Sequence, residues 1–187
     1  YDMCSITLNE SLDILAKLQF FDKCVEPYQN KFTKNKNDLS AFKGLIKSLY
    51  HTSQWKEIIK YYSKFESSIR KVKNQTSTYF AEAALHLGRW ELLDDILEFS
   101  PNDSARCNII SALKGLHEKD FNRVDNCIKH GFTLIASKPI TFWAEHQKLH
   151  IETILAAQRL IEIKEVEEWL SSNKKEVYEQ LWQQRLM

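Results

Sequence analysis

The chain has 187 residues, 43% of them hydrophobic, with 26 basic and 25 acidic side chains and a formal net charge of +1. That length holds one or two ordinary domains, or one array of about five helical hairpins. The balanced charge gives no electrostatic basis for wrapping a phosphate backbone, and the lack of a long apolar run excludes a transmembrane helix. Four glycines and three prolines in this length favour helices over a β-rich fold. The four cysteines, at positions 4, 24, 107 and 127, include no C-x-x-C pair, which points to free thiols in a reducing compartment. The opening YDMCSITLNESL carries no secretory pattern and no initiator Met, so the chain is expected to be a segment of something longer.

The predicted elements run as helix pairs. Leu8–Leu18 and Phe21–Phe32 form the first, with Pro27 expected to kink or shorten the second helix. The polar stretch TKNKND connects it to a second pair, Leu39–Tyr50 and Trp55–Ser67. Arg70–Asn74 reads as a basic connector before a third pair that begins at Ser77. In that pair Gly88 forms the hairpin turn, because Gly enters the left-handed region without a Cβ penalty. Ala81 and Ala84 are small enough to admit a neighbouring backbone, and Trp90, Leu93 and Leu97 give the following helix one apolar stripe. Asn102 or Asp103 is expected to cap the fourth pair, Ala105–His117 and Phe121–His130, which Gly131 ends. Thr141 is expected to cap a longer helix, Phe142–Ile163, followed by Glu165–Leu170 and Lys174–Met187. The hairpins therefore fall at about 8–32, 39–67, 77–99, 105–130 and 141–187 within a single domain.

A repeat underlies this order. Phe21, Trp55, Trp90 and Phe121 each follow a comparable turn, at spacings of 34, 35 and 31 residues. Three residues after them stand Cys24, Ile58, Leu93 and Val124; nine before them stand Leu12, Ile46, Ala81 and Ala112. A period near 34 with helix–turn–helix content is the signature of tetratricopeptide-like repeats. The expected fold is all-α, a right-handed α-solenoid of about five such hairpins. Each aromatic is expected to pack against the first helix of its own hairpin. Truncating Trp90 to Ala should cost roughly 3–5 kcal/mol if the ring is fully buried.

Chemistry-bearing motifs are few. With glycines only at 44, 88, 115 and 131, no G-x-G-x-x-G or Walker A loop is possible. Asp120-Phe121-Asn122 lacks the Gly of a D-F-G motif and reads as a repeat turn. His146 and His150, at i and i+4, could pair on a metal, but no third ligand stands at a persuasive spacing. His51, His86 and His117 each lie four residues before a repeat aromatic, which suits a structural role at the bend or, alternatively, a pH-sensing or metal-binding ladder. No catalytic, cofactor or metal residue is assigned.

The segment AEAALHLGRWELLDDILEF resembles the FAT domain of phosphatidylinositol-3-kinase-related protein kinases, in which a small-residue helix leads into a G-x-W-D/E-like turn. ISALKGLHEKDFNRVDNCIKHG looks like that family's next hairpin, and LAKLQFFDKCVEPYQNK and KGLIKSLYHTSQWKEI are similar to the two preceding hairpins of its target-of-rapamycin (TOR) members. The ending IEIKEVEEWLSSNKKEVYEQLWQQRL resembles a TOR stretch in which a Leu- and Glu-rich helix precedes a Trp-containing one. The resemblance implies a non-catalytic helical scaffold that embraces and regulates a serine/threonine kinase domain elsewhere in the polypeptide and holds partner subunits. ATP and magnesium would belong to that kinase domain, so no cofactor is expected in this segment. Neither nucleic-acid binding nor membrane insertion is expected, and the expected location is cytoplasmic, with the nucleus as a second compartment. Two other readings are a free-standing tetratricopeptide-like adaptor that binds a peptide in its concave groove, and a small metal-dependent hydrolase using His146 and His150.

Overall fold

A computed structural model describes residues 8–64, 66–98, 100, 104–137, 147–171 and 175–186. The protein is all-α, with no strand among these residues. The helices are α1 (Leu8–Lys17), α2 (Phe21–Lys34), α3 (Leu39–His51), α4 (Trp55–Lys64), α5 (Glu66–His86), α6 (Leu93–Leu97), α7 (Ala105–Glu118), α8 (Phe121–Ala136), α9 (Gln147–Ser171) and α10 (Lys175–Leu186). A single 3₁₀ turn, Trp90–Leu92, precedes α6. The chain divides into two compact units, Tyr1–Ser100 and Pro101–Met187.

The helix pairs share one turn geometry. Gln19, Ser53, Gly88 and Lys119 have φ of 64°, 56°, 65° and 60°, and each stands two residues before a repeat aromatic. In every case the next amide donates to a carbonyl five residues back: Phe20 to Leu15 at 2.9 Å, Gln54 to Leu49 at 2.9 Å, Arg89 to Ala84 at 2.8 Å and Asp120 to Gly115 at 2.8 Å. The left-handed residue itself donates three residues back, at 3.0–3.2 Å. This paired pattern is the Schellman C-cap, which satisfies carbonyls that a helix end leaves open. The chain thus reverses in the same way after α1, α3, α5 and α7, and only one of the four reversals uses glycine.

The register columns behave differently from one another. The residue three after the aromatic is wholly buried in all four hairpins: Cys24, Ile58, Leu93 and Val124 are each 0% exposed. Leu12, Ile46, Ala81 and Ala112, nine before it, are buried as well. Sequestering side chains of this size stabilises by about 1.5–3 kcal/mol for each of the larger aliphatic ones. Seven before the aromatic, Ser48 and Ala83 are buried at 1% and 0%, whereas Ile14 on α1 is 46% exposed.

In the first unit α3 lies against α2, α4 and α5. The α2–α3 approach is close: a Cβ on Gly44 would meet the Tyr28 ring at 2.5 Å. Phe32 and Phe42 meet across the same contact with centroids 4.9 Å apart. Asp38 caps α3, accepting from the Ala41 amide at 2.9 Å. In the second unit α7, α8 and α9 enclose Ile109, Ala112, Val124, Ile128, Leu160 and Ile163. Gly115 lets Val124 approach, since a Cβ there would lie 2.9 Å from its Cγ2.

Several expected boundaries differ. Arg70–Asn74 lies inside α5 rather than in a connector, because Glu66–Tyr79 contains no Gly or Pro to end a helix. Gly131 does not end α8, which runs on to Ala136; a Cβ at Gly131 would meet Leu160 Cδ1 at 2.7 Å, so its role is to admit α9. α9 runs unbroken through Glu165–Leu170. Pro27 lies within α2, which extends past Phe32 to Lys34. The cap of α7 is Ser104, accepting from the Cys107 amide at 3.3 Å; Asn102, Asp103 and Thr141 lie outside the described residues.

Candidate interaction surfaces

The repeat aromatics are half-buried rather than enclosed. Phe21, at the start of α2, stacks on His51, the last residue of α3, with centroids 4.0 Å apart and ring planes at 12°. Trp55, at the start of α4, stacks on His86, the last residue of α5, at 4.4 Å and 11°. Each ring therefore bridges to the following hairpin. Trp55 also meets Tyr50 of its own hairpin edge-on at 5.5 Å. Lys47 Nζ lies 5.8 Å from the Phe21 centroid, within cation–π range. Tyr50 leans on Tyr79 at 4.7 Å and its hydroxyl donates to Glu82. A surface cavity of 330 Å³ opens beside this ladder, lined by Ser53, Gln54, Trp55, Lys56, Glu57 and Leu87.

Ala81, Ala84 and Leu93 are fully buried, Trp90, Leu97 and Phe121 are half-buried, and Gly88 is exposed in its turn. His117 stands in the last turn of α7. His146 lies outside the described residues, and no group of three or more His, Cys, Asp or Glu capable of holding a metal occurs among those described. No described helix is long and apolar enough to cross a membrane. Cys24, Cys107 and Cys127 are free thiols, and burial pushes the Cys24 thiol above its usual range.

Several charged groups on α8, α9 and α10 bond to one another. Lys164 on α9 donates to Asp125 on α8 at 2.8 Å and to Glu167 at 2.6 Å, and these bonds raise its pKa. The same Lys164 bond holds Asp125 below the usual carboxylate range. Arg185 on α10 grips Glu165 with two bonds, at 2.8 and 2.7 Å, and Trp182 Nε1 donates to the same carboxylate at 3.1 Å; Arg185 is the main cause of the lowered Glu165 pKa. Tyr178 donates to Glu168, which pushes the phenol upward. These bonds fasten α9 to α8 and to α10.

α9 carries two apolar faces. Thr153, Ala156, Leu160, Ile163 and Glu167 follow three- and four-residue steps on the side turned to α7 and α8. On the other side Ile151, Ile154, Leu155 and Ile161 are 61%, 59%, 47% and 47% exposed. Between α7, α8 and α9 lies a cavity of 230 Å³ whose lining includes Arg106, Ile109, Ile135, Thr153, Leu155 and Arg159.

Repeated helix pairs closed by one type of turn define an all-helical arrangement among the described residues. Residues 77–187 match the FAT domain family, and the chain belongs to that family. It is also similar to the serine/threonine-protein kinase TOR2 of Saccharomyces cerevisiae, with 22% identity over 176 residues. That alignment takes in 91% of this chain and 7% of the relative, so the chain spans a small fraction of the length of the protein it matches. It is a FAT segment of the TOR-like kind.

Proposed function

We propose that this chain is a non-catalytic scaffold within a TOR-like serine/threonine kinase polypeptide, in which it embraces the kinase domain, restrains its motion and holds partner subunits. The observation that carries this reading is the FAT match over residues 77–187. The similarity to TOR2 extends it toward the first unit. The recurring left-handed turn and the ring-to-histidine bridges support a right-handed, tetratricopeptide-like solenoid as the form of the scaffold. In this reading ATP and magnesium bind the kinase domain and not this segment, and the protein works in the cytoplasm, with the nucleus as a second compartment.

The test is made in the full-length polypeptide. Replacing Gly44 with Ala disturbs the α2–α3 contact through the Tyr28 ring while leaving any kinase domain untouched. The expected result is altered phosphorylation of protein substrates or altered subunit recovery, with ATP binding retained. Unchanged phosphorylation and unchanged assembly, together with measured loosening of α2 and α3, would overturn the reading.

A further inference from the structure

We propose that the exposed stripe on the N-terminal half of α9 is a docking groove for a basic amphipathic helix supplied by a partner protein, lying end to end with α10. Ile151, Leu155, Gln158, Glu162, Glu165 and Trp169 are separated by alternating steps of four and three residues. That spacing places them along one side of a helix, as in a helix–helix seam. The C-terminal third of the seam is occupied. As α10 advances from Lys175 to Arg185 its contacts retreat along α9, from Trp169 to Glu165, so the two helices run antiparallel. Trp169 and Trp182 meet there at 6.1 Å.

The remaining two thirds is bare, and it is the more apolar part. Ile151, Ile154, Leu155 and Ile161 are all exposed, although α10 bonds the polar Glu165 and Glu168. From Ile151 to Glu165 the helix rises through 14 steps, about 21 Å, room for a four-turn partner in line with α10. The surface is thus continuous with an interface already formed.

Charge decides what kind of helix fits. Within the occupied part Glu165 takes a bidentate arginine. One turn toward the bare part stands Glu162, exposed and bonded by Gln158 at 2.9 Å. A helix with Leu or Ile at three- and four-residue steps and an Arg in line with Glu162 would repeat the Arg185 arrangement one turn further along. Ile151, Ile154 and Glu162 are solvent-exposed, so their replacement leaves the fold intact.

Titration of the 187-residue chain with a fluorescent 14-residue helical peptide, Leu along one face and Arg beside it, tests the assignment; a matched peptide with Glu in place of Arg is the comparison. Saturable binding is expected for the Arg peptide, at least tenfold weaker for the Glu peptide. I151D with I154D should weaken the Arg peptide more than tenfold, and E162R should reverse the preference between peptides. Equal binding to wild type and I151D/I154D, or no binding of the Arg peptide, overturns the proposal. Concentration-dependent dimerisation abolished by I154D would assign the groove to a second copy and also overturn it. The inference stands apart from the kinase reading: failure here with normal regulation of the full-length kinase removes the groove alone.

Discussion

The left-handed turn residues and the side chains beside them carry the most direct consequences at the scale of single positions. A Cβ on Gly88 would meet nothing within 4 Å, so G88A isolates the backbone penalty. It should lose about 1–2 kcal/mol in urea denaturation. S53G and K119G relieve the same strain from the other direction and should gain up to about 1 kcal/mol, a sign opposite to the usual effect of adding glycine. The turns also show the limits of reading the chain alone: Gly88 announced its conformation, whereas Gln19, Ser53 and Lys119 did not, because nothing in those residue types marks positive φ. The aromatic column was equally visible, but its rings are only half-buried, and Phe21 and Trp55 stack on histidines of the next hairpin. The position three residues later is the enclosed one. I58A should therefore cost about 2–5 kcal/mol, and W90A, from a half-buried site, less than its ring size suggests.

Helices respond to how closely they approach and to which charges fasten them. G44A should destabilise by about 1–3 kcal/mol through overlap with Tyr28, and combining it with Y28L should recover part of the loss, a non-additivity readable by thermal melts. The carboxylates Asp38, Asp125 and Glu165 all titrate below their ordinary values: Asp38 chiefly through the Ala41 amide, Asp125 through Lys164 and Glu165 through Arg185. Their folded pKa values lie under the unfolded ones near ~4, so their stabilisation is complete above that range and disappears as pH falls through the folded values. D38N should flatten part of that acid dependence while keeping a capping oxygen, and D38A should cost about 1 kcal/mol at neutral pH. R185A should speed amide exchange in α10 more than in α8. Helix existence was plain from periodicity, but ends were not: α5 and α8 run through expected breaks because Gly131 serves a neighbour and Arg70–Asn74 contains no breaker.

Taken whole, the described residues are built from helix pairs, and family membership rests on the match over residues 77–187. The helix–turn–helix period was legible because buried columns repeat near 34 residues and turns repeat with them. The docking stripe on α9 was not, since two apolar faces on one helix blur into a mixed pattern until burial separates them. The purified chain should give strong helical circular dichroism and no ATP turnover; hydrolysis that survives purification to homogeneity would contradict a scaffold role. One feature bears on handling the protein at all. Ile14, Leu18 and Phe20 are 46%, 60% and 46% exposed, although Ser48 and Ala83, which match Ile14 in later hairpins, are covered. Such an oily end is adhesive, so concentrated samples should precipitate or gel on warming, and charged replacements at Ile14 and Leu18 should keep them clear without altering the melting temperature.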